Sequence, residues 1–442
     1  MSNTENKKSR WHRPLPGVHP WAWIPSSFLA KGLSTVVLAT LTLIAFKRIG
    51  LDNADITLYV SWLYLPWVLK PLWTPLVRMV LTRRWWMLIT ELVIGAALGG
   101  VAFSFPAQGP VQWVMFLFWV MSFASAIHDT TADSMFRVAA TPRARSSYGG
   151  ISSVFYRLSM LLGQGALVMV VGNMETITRN VRESWSFLFW LLAILYLVLF
   201  VINLLLLPAH VDNGNRQRVT FSDYWQRVSE PVVHFFRRSD WWRVGLFIGL
   251  FILPEALSCK VSVLFFIDAG HAGGLGLSPQ EYGFAMGTIG VFGLTIGGIL
   301  GGMAVHRRGI GWWRWYMVAA FTLCNVLYLY LAYVMPSSLL VISVVAFLRQ
   351  MAFAFGLTYY VVAMLYLSRN EKGEMRPANL SVLMAIATVA LMVPGWVSGY
   401  LQEIFGYVTF YKGVLCTSIF TFFVAWLLRI DPAAGKRERR QA

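Results

Sequence analysis

Residues 186–207 read SFLFWLLAILYLVLFVINLLLL, an uncharged apolar run that meets the roughly 20 residues a helix needs to cross a bilayer core. A backbone in hydrocarbon must satisfy its own polar groups, so such a run can enter a membrane only as a helix or within a closed barrel. Twelve runs lie between polar breaks, near 20–46, 55–79, 85–105, 111–136, 148–172, 186–207, 241–267, 282–305, 313–335, 338–367, 377–401 and 407–429. Composition agrees: 57% of the 442 residues are hydrophobic, 13% are charged and mean hydropathy is +0.59. That is too little polar side chain to coat a soluble fold of this length. The expected class is an all-α membrane protein of twelve transmembrane helices.

The longest polar break divides these spans six and six. The expected organisation is a tail at 1–19, a first six-helix half at 20–207, a central loop at 208–240, a second half at 241–429 and a basic tail at 430–442. A net charge of +17 would suggest a nucleic-acid partner in a soluble protein. Here its distribution explains it. With the N-terminus placed in the cytoplasm, most Lys and Arg fall in the tails, the central loop and the even-numbered loops. The opposite face holds Lys47, Arg48, Arg179 and Arg182. Cytoplasmic loops carry such an excess, so both termini are expected inside and nucleic acid is not needed. The opening MSNTENKKSRWHR is polar and basic and leads into a span rather than an A-x-A site, so no cleavable leader is expected.

A repeat supports two halves. RRWW (Arg83 to Trp86) opens span three, RRGIGWWRW (Arg307 to Trp315) opens span nine, and RRSDWWR (Arg237 to Arg243) opens span seven. Arg beside paired Trp suits a headgroup boundary. Its recurrence at three and nine fits a duplicated architecture with the substrate path between halves.

Six basic residues fall within spans: Lys31, Lys70, Arg157, Lys260, Arg349 and Lys412. Lys412 lies near the outer end of span twelve, where its stem can snorkel. The other five are deep. Glu91, Asp129, Asp133 and Glu255 are their acidic counterparts. An ionised side chain at mid-bilayer costs about 2.5–3.5 kcal/mol even on the lenient insertion scale. One reading is that these groups pair to hold helices together; the other is that they line a hydrated path for a polar, anionic solute and a proton. Asp129 and Asp133 are four apart and share a helix face, with Arg137 one turn on, whereas His128 lies about 100° around the helix. A carboxylate in such a site can load and release a proton, and Arg137 can alternatively clasp Asp133. In span five, Arg157 and Gln164 share a face, with Tyr156 alongside; guanidinium suits carboxylate or phosphate, and Gln suits sugar hydroxyls or amides. Glu255 and Lys260 need not face each other, and Pro254 can open their helix and free carbonyls for a ligand. Span ten carries Arg349, Gln350, Thr358, Tyr359 and Tyr360.

Other chemistries lack their residues. No GxxxxGK[ST] loop, HExxH or GxSxG occurs, and the seven His do not cluster. Cys259, Cys324 and Cys416 sit in apolar runs without CxxC spacing. Neither an enzyme, a metal site nor a cofactor is expected. An intramembrane aspartyl enzyme built on Asp129 and Asp133 leaves the five cations and the repeat unexplained.

Several motifs together resemble one family over nearly the whole chain. GGILGGMAVHRRG resembles the glycine-plus-basic loop of the major facilitator superfamily. LPWVLKPLWTPLVRMVLTRRWW (from Leu65), ASAIHDTTADSMFR (from Ala124), FYRLSMLLGQG (from Phe155) and PGWVSGYLQEIFGYVTFY (from Pro394) resemble AmpG-type muropeptide permeases and their acetyl-CoA-transporter relatives. PEALSCK, GGLGLSPQEYG and GTIGVFGLTIGGILGG resemble one branch of them. The resemblance implies a major-facilitator fold and proton-driven import of an anhydro-muropeptide or GlcNAc-anhydroMurNAc. By motif match, Lys70, Asp129, Asp133, Tyr156 and Arg157 take the family's polar positions. The sequence departs at Val77 and Arg78, where an aspartate is usual, at His128, where glutamine is usual, and at Ser134, Met135 and Phe136. Relatives that move siderophores, acetyl-CoA or other oligosaccharides share much of the pattern.

The expectation is a monomeric inner-membrane symporter, embedded in lipid, for a small anionic solute and a proton. Asp129, Asp133 and Glu255 are the proton-coupling candidates; Lys31, Lys70, His128, Tyr156, Arg157, Gln164, Lys260, Arg349 and Tyr359 are the substrate-binding candidates.

Overall fold

A computed structural model describes residues 20–107, 111–139, 152–208, 220–369 and 377–436. Among them, ten helices are long and apolar enough to cross a membrane. In chain order these include α1 (Trp21–Arg48), α3 (Arg83–Ser104), α4 (Val111–Ala139), α5 (Ser152–Thr178), α6 (Val181–Leu206), α7 (Trp241–Ile267), α8 (Pro279–Arg308), α9 (Ile310–Val334) and α10 (Leu339–Leu367). The tenth is two spans. Gly406 takes φ 69°, outside the helical region, and separates α11 (377–405) from α12 (407–427). Only glycine adopts that angle at no steric cost. The remaining span, α2, is broken into Asn53–Trp62, Leu65–Val68 and Lys70–Met79. Pro66 and Pro71 each sit in the first turn of a new segment, where the missing N–H would have no helical partner anyway. Twelve spans result, so the start of α1 and the end of α12 lie on one face, the terminal face.

α7 breaks in the same way. Its segments Trp241–Phe251 and Leu253–Ile267 meet at Ile252, just before Pro254. The carbonyl of Phe251 accepts from Thr421 Oγ1 of α12 at 3.1 Å. The opening foreseen at Pro254 therefore serves helix packing at this carbonyl.

The stretch 208–240, read from sequence as a loop, contains a helix at Phe221–Arg237, capped by Thr220 and Asp223. Its apolar positions are interleaved with charges, so no continuous apolar run announces it. Val228 and Phe235 are buried, while Phe221, Trp225 and Phe236 are exposed. It lies against α2 and α11, with Tyr224 OH donating to Leu72 O at 3.3 Å. At the entry to α7, Arg238 hydrogen-bonds Asp240 at 3.0 Å and holds its carboxyl below the usual range.

α1–α6 and α7–α12 pack as two halves that meet along α2–α11 and α5–α8. At the second contact both helices are locally widened into π turns, Leu161–Leu167 and Gly283–Gly290. Such turns often mark functional positions in helices. Gly287 lies directly on the Gln164 and Gly165 backbone, leaving no room for a Cβ, whereas nothing lies within 4 Å of a Cβ at Gly302. Gly287→Ala is expected to lower stability by about 1–3 kcal/mol through overpacking, and Gly302→Ala to leave it unchanged. Thermal unfolding of the two purified variants in detergent checks this.

Candidate functional site

Apolar helices bring the deep charges together because a lone ion in their packing would be far costlier than a paired one. Lys31 on α1 lies 2.6 Å from both Asp129 Oδ1 and Asp133 Oδ1 on α4. Lys70, at the start of the last α2 segment, lies 2.6 Å from Asp129 Oδ2. Asp129 is thus held between two ammonium groups, and the four residues balance in charge. The shared face of Asp129 and Asp133 follows from their spacing. Side-chain exposure rises from 13% at Asp129 to 30% at Asp133, one turn nearer the terminal face.

The second half has its own pair. Arg349 Nη2 donates to both Glu255 oxygens, at 2.8 and 2.6 Å. Its guanidinium stacks over Tyr328 and Phe353, 4.6 and 4.9 Å from the ring centroids. Planar geometry lets one group make both contacts.

Lys260 and Arg157 differ from the other three deep cations. Lys260 is 2% exposed, and no carboxylate lies within ion-pair distance among the described residues. Its ammonium sits 4.9 Å over the ring of Tyr64, across the boundary between halves. Gly395 of α11 makes the space: a Cβ there would strike Lys260 Nζ and lie 2.7 Å from Ser61 Oγ. The next residues of α2 and α11, Trp62 and Trp396, stack at 4.8 Å. Arg157 on α5 faces Gly298 of α8, where a Cβ would lie 3.2 Å from Nη2, and it too has no carboxylate partner among the described residues.

The remaining sequence candidates divide. Tyr156 packs against Gly32, next to Lys31, and Gln164 donates to Thr40 Oγ1 at 3.1 Å. His128 and Tyr359, grouped from sequence with the substrate-facing residues, lie elsewhere. His128 is fully buried behind Asp129, with Nε2 3.1 Å from Glu91 Oε1. Asn203 also donates to Glu91 Oε1, at 2.6 Å, and accepts from Ser26 at 2.6 Å. Tyr359 packs on Phe247 and Phe251 within the second half. Lys412 lies 5.0 Å from the ring of Tyr333, away from the pathway.

A second polar cluster, which the sequence reading did not single out, lies at the face opposite the termini. Lys47 is 2.5 Å from Asp268 Oδ1, across the two halves. The signal was present only as an isolated cation and an isolated acid on a charge-poor face.

Removing one partner of a buried pair typically costs about 3–5 kcal/mol, and replacing both can be nearly neutral. Arg349→Gln is therefore expected to destabilise the protein far more than the double variant Glu255→Gln/Arg349→Gln. Melting temperatures in detergent check it; equal losses would contradict the pairing.

Comparisons with known proteins bear on the family and the fold. The family model for the Major Facilitator Superfamily matches residues 24–373. The chain is 25% identical over 352 residues to the anhydromuropeptide permease of Escherichia coli (strain K12), covering 78% of this chain and 67% of that one. Among solved structures, the nucleoside transporter NupG superposes with TM-score 0.63 at 16% identity, covering 92% of this chain and 97% of that one. The partially occluded, inward-open xylose transporter XylE from E. coli gives TM-score 0.67 at 11% identity, with coverage of 92% and 98%. These two likenesses concern the fold.

Proposed function

The chain belongs to the Major Facilitator Superfamily, and on that premise we propose that it is a proton-coupled symporter for an anionic cell-wall fragment. The solute in this reading is an anhydro-muropeptide or GlcNAc-anhydroMurNAc, carried across the inner membrane by a monomer whose termini are cytoplasmic. The chain is a multi-pass membrane transporter of a small molecule, not an enzyme.

One observation carries the anionic reading. Lys31, Lys70 and Arg349 are neutralised by Asp129, Asp133 and Glu255 within their own halves. Lys260 and Arg157 are left with uncompensated charge between the halves. A desolvated cation with no counter-ion is stabilised by an anionic ligand, which supplies what the protein omits. The name of the E. coli relative supports the muropeptide assignment.

The balanced cluster supports proton coupling. A proton taken up by Asp129 or Asp133 removes one negative charge and leaves Lys31 and Lys70 in surplus, which strengthens the field for the anion. Loss of that proton restores the pairs and weakens the hold on the solute. Glu255 offers a second such position against Arg349. Tyr156 lies beside the first cluster and Gln164 beside Thr40, further along α1, and both would contact the neutral parts of the solute. The halves rock about the α2–α11 and α5–α8 contacts.

Uptake of radiolabelled GlcNAc-anhydroMurNAc by proteoliposomes under an imposed proton gradient tests this reading. Lys260→Gln and Arg157→Gln are each expected to raise KM about tenfold, equivalent to ~1.4 kcal/mol. Accumulation that survives collapse of the gradient would contradict the coupling. Unimpaired gradient-driven uptake by both Asp129→Asn and Asp133→Asn would contradict the acid assignment.

A further inference from the structure

The two deep cations without a carboxylate share a second property: each rests against a glycine inside a helix of the second half. A Cβ at Gly395 of α11 would overlap Lys260 Nζ and lie 3.4 Å from its Cε. A Cβ at Gly298 of α8 would lie 3.2 Å from Arg157 Nη2. No other glycine among the described residues has a Lys or Arg atom among those nearest its Cβ position. Lys31, Lys70 and Arg349, which have carboxylates, have no such glycine.

The backbone does not require glycine at either point. Both residues lie within helices, and neither takes a positive φ. Alanine would favour a helix interior by about 0.8–1 kcal/mol over glycine, so contact decides. At Gly395 the space is bounded by Ser61 Oγ of α2, 2.7 Å from the Cβ position. Ser61 is itself held by donating to Thr57 O at 2.5 Å. One turn along α11, Gly399 meets Thr57 and the Asn53 carbonyl with no room for a Cβ, and Gly399 N donates to Thr57 Oγ1 at 3.1 Å. Small residues thus bring α11 close to α2, and Lys260 of α7 occupies the notch at the level of Gly395. Its ammonium also faces the Tyr64 ring. Hydroxyl and ring place the ammonium without cancelling its charge. Gly395 and Lys260 belong to the same half, so the notch travels with the cation, whereas Ser61 and Tyr64 belong to the other half.

We propose that Gly395 is a specificity-determining position for an anionic solute, acting by seating the cation that receives it, with Gly298 as its weaker counterpart at Arg157. A methyl group at position 395 takes the place of Lys260 Nζ and displaces the ammonium. No carboxylate lies within ion-pair distance to capture it, so the flexible four-carbon stem carries it to where water can reach it. The charge survives, but its distance to the solute anion does not. At position 298 the methyl group requires only a few tenths of an ångström of movement by the guanidinium, so the effect there is smaller. This role rests on the anionic reading of the boundary and names a residue that tunes it; the first measurement below uses no solute.

Acetylation of the purified protein by an N-hydroxysuccinimide ester, resolved by peptide mass spectrometry, reads the position of Lys260. Relative to exposed Lys412, Gly395→Ala is expected to speed acetylation of Lys260 at least about threefold; a parental rate would overturn the seat. Equilibrium binding then reads specificity. Gly395→Ala is expected to lower affinity for GlcNAc-anhydroMurNAc at least about tenfold, and affinity for the amide of its lactyl carboxylate less than about twofold. In the Lys260→Gln background the same substitution should change neither. Gly399→Ala crowds the same helix contact without touching a cation and should keep the parental ratio of acid to amide affinity. An unchanged ratio in Gly395→Ala, an equal fall in Gly399→Ala, or the full loss repeated in the Lys260→Gln background would overturn the specificity role. If Gly395→Ala does not fold, Gly298→Ala carries the test, with an expected loss of about threefold for the acid and none in the Arg157→Gln background; no loss would overturn it. Equal affinities for acid and amide in the parent would instead overturn the anionic reading itself, and the acetylation rates would still decide whether Gly395 seats Lys260.

Discussion

A charge inside a bilayer must find its counter-charge in the protein, in water or in a ligand, and the interior of this protein is organised by which of these each charge has. Lys31, Lys70, Asp129 and Asp133 tie α1, α2 and α4 together, while Glu255 and Arg349 tie α7 to α10. Each set balances within one half, so each half can move as a body without separating these pairs. What remains unbalanced lies between them. Such an arrangement spends its polar contacts on stiff halves and leaves the boundary to the solute and to a small number of bridging groups.

Behind Asp129 the same constraint acts on a fully buried scale. His128, Glu91, Asn203 and Ser26 come from α4, α3, α6 and α1 and are joined to one another through Glu91 Oε1 and Asn203. His128 and Asp129 are neighbours in sequence yet face different surroundings, one fully buried and one partly exposed. α4 is thereby fixed in rotation, which keeps Asp129 and Asp133 toward Lys31. At the α5–α8 crossing, glycines do for the backbone what ion pairs do for side chains: they set the separation of the halves at a point where no side chain would fit.

Much of the fold was legible because hydropathy, loop charge and the Arg–Trp repeat depend on short stretches of chain. The helix at Phe221–Arg237 was not, since its buried face is interleaved with charged residues. For the site, spacing alone gave the common face of Asp129 and Asp133. It could not give their partners, because Lys31 and Lys70 reach them only after helices from distant parts of the chain pack. Tyr359 illustrates the limit: beside Tyr360 and one stretch on from Arg349 it read as part of a polar stripe, but its ring fills the aromatic core with Phe247 and Phe251. Lys47 and Asp268 were visible only as loop charges, since nothing local indicates that they meet.

The central claim is that the uncompensated charge of Lys260 and Arg157 selects an anionic solute. Equilibrium binding of GlcNAc-anhydroMurNAc, with its lactyl carboxylate, and of the matching neutral amide to the purified protein tests it most directly. The expected result is an affinity at least about tenfold higher for the acid, a difference of ~1.4 kcal/mol, that disappears in Lys260→Gln/Arg157→Gln. Equal affinities for acid and amide in the parent protein would contradict it.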